Sequence, residues 1–304
     1  MQWPKSVIIK EVGPRDGLQN EKLFIPTEDK IEWINHLSRT GLSYIEVTSF
    51  VHPKWIPVLA DAIEVAKCID RLKDVTYAAL VPNMKGLERA LVTNIDEVAV
   101  FMSVSETHNK QNRNQTIEET YPIIKQVIQE SRSAGKTVRA YLSTVFGCPY
   151  EGEIPIQSIL NVTEKLIEMG VNELSIGDTI GVANPRQVQD VGTALLHRFP
   201  HDSIAMHFHN TKGTALANVI ASLDIGISKF DSSVGGLGGC PYAPGASGNL
   251  ATEDLLYMLD GMGISTGVSN EKIHQAGLYI QEKIGRKLVS HNLQANKGNP
   301  DFNC

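Results

Sequence analysis

The chain has 304 residues, of which 42% are apolar and 20% charged, and its formal net charge at pH 7 is −6. This composition is typical of a soluble globular protein with one large domain or two small ones. The acidic balance and the absence of a long basic run argue against nucleic acid as the main partner. No apolar stretch approaches the roughly 20 residues that span a bilayer, so we expect no membrane association.

The four cysteines are spread widely and form no C-x-x-C pair; they are Cys68, Cys148, Cys240 and Cys304. This spacing is typical of reduced intracellular thiols rather than of a disulfide framework. The first residues lead directly into an apolar segment at 7–9, which leaves no room for a secretory signal peptide. We therefore expect a cytoplasmic protein.

Strand-like and helix-like segments alternate along the chain. Short apolar, β-branched runs predict eight strands, at residues 7–12, 44–47, 75–80, 97–101, 138–144, 173–176, 204–208 and 228–231. Helical patterns lie between them, at 27–39, 55–69, 117–134, 156–169, 185–198 and 214–223, with Thr27 and Asn184 as candidate N-caps. Eight strand–helix units predict an α/β fold, a (β/α)8 TIM barrel. The alternative is an open doubly wound sheet, but no G-x-G-x-x-G follows the first strand.

We expect residues 1–304 to form a single catalytic domain, with the barrel at about 5–262 and a short C-terminal helical extension at about 263–304. A helical pattern at 272–284 lies within that extension. No linker or low-complexity segment indicates a second domain.

Residues that can carry chemistry follow the predicted strands. Active sites of TIM barrels lie at the carboxyl ends of the strands. Such positions hold Arg15, Asp16, Glu46, Asp178, His207, His209, a glycine-rich run from 235 and Asn249. Each has an ordinary structural alternative, as a surface ion pair, a buried salt-bridge partner or a flexible loop. Their coincidence on one rim favours an active site.

His207 and His209 lie two residues apart in a predicted strand, so their imidazoles should lie on the same face. Together with the Asp16 carboxylate they would form a half-open divalent-metal site, to which Asn249 could add an amide oxygen. Ligand softness alone favours Mn, Fe or Zn over Mg. A neighbouring Arg15 could stabilise an enolate, which favours aldol or Claisen-type chemistry over hydrolysis.

The sequence resembles the 3-hydroxy-3-methylglutaryl-CoA lyases, a family of metal-dependent barrel lyases, at residues 13–20, 45–50, 147–152, 177–181 and 235–253. The Arg–Asp and H-x-H motifs are shared with related Claisen-type synthases, whereas the loop at 238–249 is typical of the lyases. The resemblance implies cleavage of an acyl-CoA substrate, 3-hydroxy-3-methylglutaryl-CoA, to acetyl-CoA and acetoacetate. It implies Mg²⁺ or Mn²⁺ as the cofactor, in place of the choice made from ligand softness. We also expect a homodimer.

Two other functions stay open at this point. One is a synthase or aldolase of the same superfamily that acts on another 3-hydroxyacyl substrate. The other is a non-catalytic acyl-CoA-binding barrel, which the full set of candidate residues disfavours.

The resemblance also implies residue roles. The metal ligands would be Asp16, His207 and His209, with Asn249 as a further ligand or close neighbour. Arg15 would stabilise the enolate of the departing acetyl-CoA. Contacts to the substrate are then expected from Arg15, Gln19, Ser49, Ser175 and Thr179.

Proton transfer would fall to a second group of residues. Glu46 and Asp178 would orient or protonate groups at the metal, and either His207 or Asp178 would be the base that takes the hydroxyl proton. The sequence Gly-Cys-Pro-Tyr occurs twice, at 147–150 and 239–242. A free cysteine is usually a small buried hydrophobe, but the glycine-rich surroundings of Cys240 favour it over Cys148 as the catalytic thiol.

The sequence contains weaker indications of a coenzyme A site. Asn83, Lys85 and residues 109–113 are polar and partly basic, and we expect them in loops on the same rim, where they could reach phosphates.

Overall fold

The computed structural model describes residues 3–239 and 248–295, so Cys240 and Cys304 lie outside the described residues. Eight strands pair in parallel in chain order, and the eighth pairs with the first to close a barrel. The predicted TIM barrel is therefore confirmed. The strands are β1 Ile8–Glu11, β2 Tyr44–Ser49, β3 Thr76–Leu80, β4 Glu97–Ser103, β5 Thr137–Ser143, β6 Glu173–Asp178, β7 Ile204–Phe208 and β8 Lys229–Ser232.

Helices pack around the barrel and cover the apolar outer faces of the strands. None of the helices within 3–239 and 248–295 is long and apolar enough to cross a membrane. The helices are α1 Thr27–Ser38, α2 Ala62–Cys68, α3 Met84–Leu91, α4 Glu106–Arg113, α5 Ile117–Ser133, α6 Ile156–Glu168, α7 Pro185–Leu196, α8 Ala215–Asp224, α9 Thr252–Gly261, α10 Asn270–Ile284 and α11 His291–Ala295.

Local side-chain chemistry explains where several helices begin. Asn184 caps α7 as predicted, because its side chain accepts a hydrogen bond from the backbone of Gln187. The predicted cap at Thr27 is wrong: Thr27 is already the first helical residue, and its hydroxyl donates to Asp61 instead. The predicted helix at 55–69 is also too long, because Pro57 opens a separate 3₁₀ turn and α2 begins only at Ala62.

The interior of the barrel is polar. Arg139 on β5 contacts both Glu173 on β6 and Asp231 on β8, with nitrogen–oxygen distances of 2.8 and 2.6 Å. Lys10 on β1 contacts the same Glu173 at 2.6 Å. Since β5 and β8 are not neighbours, these contacts cross the barrel and replace the branched aliphatic layers that usually fill it. The aliphatic core lies outside the strands, against the helices.

The C-terminal extension packs on the barrel through backbone contacts. Its helix, predicted at 272–284, is α10. The backbone N–H of Ser269 donates to the carbonyl of Thr40, at the end of α1. Next to it, Gly41 has a φ of 96°, and a Cβ at this position would collide with the carbonyl oxygen of Gly267. The close approach of the two chain segments therefore requires a glycine at 41.

We predict that Gly41→Ala destabilises the fold more than the matched change Gly135→Ala. Both glycines follow a helix with positive φ, 96° and 74°, so alanine should cost about 1 kcal/mol of backbone strain at either position. A Cβ at 135 meets no atom within 4 Å, whereas the collision at 41 should add at least about 1 kcal/mol. Urea unfolding of both variants measures the difference. Equal losses would contradict the close packing of residue 267 on the end of α1.

Candidate active site

The turn after β1 directs two charged side chains into the mouth of the barrel. Residues Gly13–Gly17 form one π-helical turn, in which the backbone N–H of Asp16 donates to the carbonyl of Val12 at 2.7 Å. The N–H of Gly13 donates to the Glu11 carboxylate, and a Cβ at Gly13 would lie only 2.5 Å from that carboxylate oxygen. A larger residue at 13 would therefore have to displace the Glu11 carboxylate from this contact. Arg15 and Asp16 are both buried in the mouth.

Asp16, His207 and His209 converge as the H-x-H spacing predicts. Their ligand atoms all lie within 4.8 Å of one another, and all three residues are buried. No other cluster of this kind occurs in the part of the chain that the structure describes. The Nε2 atom of His207 lies 3.9 Å from Oδ2 of Asp16. This arrangement of one carboxylate and two imidazoles fits a divalent cation.

The protonation states at this cluster suit metal binding. Burial and the neighbouring His207 lower the pKa of His209 to about 4, so this imidazole is neutral at pH 7. Burial opposes ionisation of Asp16, but Arg15 and the two imidazoles outweigh it and hold the pKa of this carboxyl below its usual range. The cluster therefore combines an ionised carboxylate with a neutral imidazole, the forms in which both bind metals.

Asn249 reaches the same cluster from the chain segment after the glycine-rich run. Its Nδ2 donates to Oδ2 of Asp16 at 2.8 Å and to the carbonyl of Leu237 at 2.9 Å. The structure thus places Asn249 beside the predicted metal ligands and shows it orienting one of them. Its role as a direct ligand stays a prediction, because its amide nitrogen rather than its oxygen faces Asp16.

Arg15 is fixed by two carboxylates and an aromatic ring. Its Nε donates to Oε2 of Glu46 at 2.6 Å, and its Nη1 donates to Asp16. The hydroxyl of Tyr141 donates to the same Glu46 oxygen at 2.8 Å, and the guanidinium lies 4.8 Å from the centre of the Tyr141 ring. Arg15 is therefore a preorganised cation beside the candidate metal ligands.

Asp178 lies at the end of β6 with both carboxylate oxygens engaged. They accept hydrogen bonds from the backbone N–H groups of Val182 and Ala183, at 2.9 and 3.1 Å. Burial raises the pKa of Asp178 to about 6, against the lowering effect of these bonds. Asp178 therefore shapes the loop after β6, and its catalytic role stays a prediction.

The four predicted substrate contacts other than Arg15 have defined partners. Gln19 donates to Oδ1 of Asp16 at 3.1 Å and so lies in the cluster. Ser175 donates to Asp231 at 2.7 Å, deeper in the barrel. Ser49 and Thr179 accept from the backbone N–H groups of Val51 and Thr144 and hold the turns after β2 and β5. Gln19, Ser49 and Thr179 lie at or just beyond the carboxyl ends of strands, whereas Ser175 lies in the first half of β6. Contact of these residues with a substrate stays a prediction.

Cys148 is buried, while the catalytic thiol that we predict, Cys240, lies outside the described residues. The Sγ atom of Cys148 lies 3.0 Å from the hydroxyl of Ser105, and it accepts from the backbone N–H of Tyr150 at 3.4 Å. Backbone hydrogen bonds between Cys148 and Gly152 close a tight turn around the thiol. These contacts agree with a packing role for Cys148.

The expected polar loops for coenzyme A are in part helical. Residues 109–113 belong to α4, not to a loop. Asn109 is fully buried and accepts from the backbone N–H of Ser103, and Arg113 donates to the carbonyls of Phe101 and Pro82. Asn83 caps α3. Asn83, Asn109 and Arg113 therefore support the local fold.

Three residues of the inner barrel contact the site and were not predicted: Asp231, Arg139 and Tyr141. The Oδ2 atom of Asp231 on β8 lies 3.1 Å from Nδ1 of His207. Burial opposes its ionisation, but Arg139 and His207 hold the pKa of Asp231 well below its usual range. The strand β8 reads Lys-Phe-Asp-Ser and is mostly polar, so no local sequence signal singles out Asp231.

A closed (β/α)8 barrel with a carboxylate, two histidines and an arginine at the carboxyl ends of its strands defines a class of metal-dependent TIM-barrel enzymes. The family model described as HMGL-like matches residues 6–280. The chain belongs to the HMGL-like family.

Individual relatives agree with this assignment. The chain is 63% identical to the hydroxymethylglutaryl-CoA lyase of Bacillus subtilis, over 98% of this chain and 99% of the relative. The crystal structure of the B. subtilis HMG-CoA lyase superposes with a TM-score of 0.96, at 63% identity over 97% of this chain and 99% of that one. An HMG-CoA lyase from Acinetobacter baumannii, solved with coenzyme A and 3-methylmalate, gives a TM-score of 0.93 at 37% identity, over 100% and 99% of the two chains.

We predict that Cys148→Ser costs about 1 kcal/mol of stability and changes kcat by less than about twofold, because the thiol is buried and contacts Ser105 and the backbone of Tyr150. Thiol alkylation followed by mass spectrometry should label Cys148 slowly and the exposed Cys68, as the control, quickly. Cys240→Ser should lose most turnover. Loss of turnover in Cys148→Ser with retention in Cys240→Ser would reverse our choice of catalytic thiol.

Proposed function

We propose that this chain is a carbon–carbon lyase that cleaves 3-hydroxy-3-methylglutaryl-CoA to acetyl-CoA and acetoacetate. The observation that carries the proposal is the convergence of Asp16, His207 and His209 beside a fixed Arg15, in a chain 63% identical to a hydroxymethylglutaryl-CoA lyase. The A. baumannii lyase, of similar fold, was solved with coenzyme A, which supports an acyl-CoA as the substrate here too.

The reaction is a retro-Claisen cleavage. The 3-hydroxyl loses its proton to a base, and the bond between C2 and C3 breaks. The C3 carbon becomes the ketone of acetoacetate, while the electron pair of the broken bond forms the enolate of acetyl-CoA. Protonation of that enolate at carbon completes the reaction, so that the atoms of the substrate are all found in the two products.

Asp16, His207 and His209 would hold the cation. A divalent ion bound there would lower the pKa of the substrate hydroxyl and polarise the ketone that forms. We take the ion to be Mg²⁺ or Mn²⁺. The nitrogen donors of the two histidines accept Mn²⁺ more readily than Mg²⁺, whereas the family resemblance admits both.

Arg15 would hold the oxygen of the enolate. The guanidinium cannot turn freely, because Glu46 and Asp16 bind two of its N–H groups. A fixed cation stabilises developing negative charge without the cost of reorganisation. Glu46 would act through this contact; burial raises the pKa of Glu46, while Arg15 and Tyr141 oppose the shift.

Of the two candidate bases we favour Asp178, because each of its carboxylate oxygens has a second lone pair besides the one that accepts a backbone N–H. One ring nitrogen of His207 bonds Asp231 and the other lies towards Asp16, so neither is directed at a substrate hydroxyl. With a pKa of about 6, Asp178 is mostly ionised at pH 7 and can accept a proton. Cys240 would return a proton to the enolate.

An assay for acetoacetate release tests the proposal. Protein treated with chelator and dialysed should release none from 3-hydroxy-3-methylglutaryl-CoA, and added Mg²⁺ or Mn²⁺ should restore turnover. A synthase would instead consume acetyl-CoA and an acceptor. Absence of acetoacetate with metal present would contradict the lyase function, and undiminished activity after chelation would contradict the metal site.

Three further statements stay predictions from the sequence: a single catalytic domain, a homodimer and a cytoplasmic location. Light scattering on the purified protein measures the oligomeric state.

We predict that His209→Ala weakens Mn²⁺ binding at least about tenfold, because it removes one of three ligands from the cluster. Calorimetric titration of chelator-treated protein measures the affinity. His201→Ala, which changes an exposed histidine just before β7, is the matched control and should leave the affinity unchanged. Equal affinities for the His209 variant and the parent would exclude His209 as a ligand.

We predict that Arg15→Lys lowers kcat by at least about 10²-fold, equivalent to about 2.7 kcal/mol, with a smaller change in KM. The compact ammonium of lysine cannot contact Glu46, Asp16 and an enolate oxygen together, as the planar guanidinium can. Steady-state kinetics at saturating metal measure both constants. A large rise in KM with kcat unchanged would make Arg15 a ground-state anchor for the substrate instead.

A further inference from the structure

We propose that Asp231 is a positioning residue that fixes the tautomer and the ring orientation of His207, so that Nε2 of His207 is the atom presented to the metal. The inference rests on the proposed metal site and adds a residue to it. Asp231 lies on β8, opposite the end of β7 that carries His207, and the two strands pair directly. Its Oδ2 lies 3.1 Å from Nδ1 of His207.

Apart from His207, the polar side chains that contact the Asp231 carboxylate all donate to it. Arg139 binds it with both terminal nitrogens, Nη2 to Oδ1 at 2.6 Å and Nη1 to Oδ2 at 3.2 Å. The hydroxyl of Ser175 donates to Oδ2 at 2.7 Å. A bidentate arginine pair holds a buried carboxylate ionised and in one orientation.

The ionised carboxylate determines where the proton of His207 lies. A neutral imidazole has one N–H and one lone pair, and an ionised acceptor at Nδ1 requires the N–H there. The lone pair is then on Nε2, the nitrogen that lies 3.9 Å from Oδ2 of Asp16. A carboxylate behind a ligating histidine is a common means of fixing both its tautomer and its ring.

His209 lacks a comparable support among residues 3–239 and 248–295. Its Nδ1 is buried and has no hydrogen-bond partner within those ranges. The two histidines are thus unequal, and we infer that His207 is the preorganised ligand of the pair. The cross-barrel contact of Arg139 explains why Asp231 itself cannot turn, because Glu173 holds the Nε of the same guanidinium at 2.8 Å.

The test compares Asp231→Asn with a matched control, Glu173→Gln. Each removes one carboxylate charge from Arg139, but only Asp231 contacts His207. Both variants should lose thermal stability. We expect Asp231→Asn to weaken Mn²⁺ binding to the chelator-treated protein at least about tenfold, and Glu173→Gln to change it by less than about twofold. Equal loss of affinity in both variants, or none in Asp231→Asn, would overturn the inference.

A spectroscopic measurement reads the tautomer directly. Long-range proton–nitrogen correlation spectra of metal-free protein with labelled histidines, assigned with a His207 variant, should show His207 protonated at Nδ1. In Asp231→Asn the asparagine amide can donate as well as accept, so a population protonated at Nε2 should appear. If Asp231→Asn does not fold, the spectrum of the parent protein still tests the inference. A His207 protonated at Nε2 in the parent would contradict it.

The two proposals fail in different ways. If the parent does not bind Mn²⁺ through Asp16 and His209, the metal site fails and this inference fails with it. If the parent binds Mn²⁺ and Asp231→Asn binds it equally well, only the positioning role of Asp231 fails.

Discussion

An ion pair between Arg139 and Asp231 crosses the inside of the barrel, and the geometry of the site depends on it. Both side chains are fully buried, so their charges are removed from water at a large desolvation cost. Such a pair is tolerable only if its remaining hydrogen-bonding capacity is used. Here Glu173 accepts a hydrogen bond from Nε of Arg139, and Ser175 and His207 contact the Asp231 carboxylate. These contacts hold the Asp231 carboxylate in one orientation.

Two buried polar atoms at the mouth of the barrel have no hydrogen-bond partner in the part of the chain that the structure describes. Among the described residues, Oε1 of Glu46 and Nδ1 of His209 are buried without hydrogen-bond partners. Buried polar atoms without partners are rare in folded proteins and cost stability. Glu46 and His209 lie beside Arg15 and Asp16, so these two atoms are unpaired at the candidate site itself. A cation and a substrate are the kinds of group that would complete these contacts.

The outline of the fold could be predicted from the sequence because it depends on local patterns. The alternation of strand-like and helix-like segments predicted the barrel. The two-residue side-chain period of a strand predicted that His207 and His209 lie on one side. Helix boundaries were harder to predict where a residue suited to be an N-cap makes a tertiary contact instead. Thr27 has the chemistry of an N-cap, but its hydroxyl bonds Asp61, 34 residues away in sequence.

The inner contacts of the site could not be predicted in the same way. Arg139 and Asp231 are 92 residues apart, and each occupies an ordinary strand position. Only closure of the barrel brings them together, so no local period indicates the pair. The same holds for Tyr141 and Glu46, which are 95 residues apart. A family resemblance supplies the residues at the metal, whereas the side chains that orient them emerge from the folded barrel.

The seam where β8 meets β1 joins the two halves of the site through one carboxylate. Glu11 accepts from the backbone N–H groups of Gly13 and Val234, and so holds the start of the Arg15–Asp16 turn against the start of the glycine-rich run. Burial raises the pKa of Glu11 from 4.5 to about 7. A raised pKa in the folded state means that the protonated form favours folding below pH 4.5, and that this contribution is lost as the pH rises to about 7. Near neutral pH the folded state therefore carries the cost of a buried, partly ionised carboxylate at the seam. Its hydrogen bonds to the two backbone N–H groups offset part of that cost, and they keep Asp16 in register with the chain segment that leads towards Asn249.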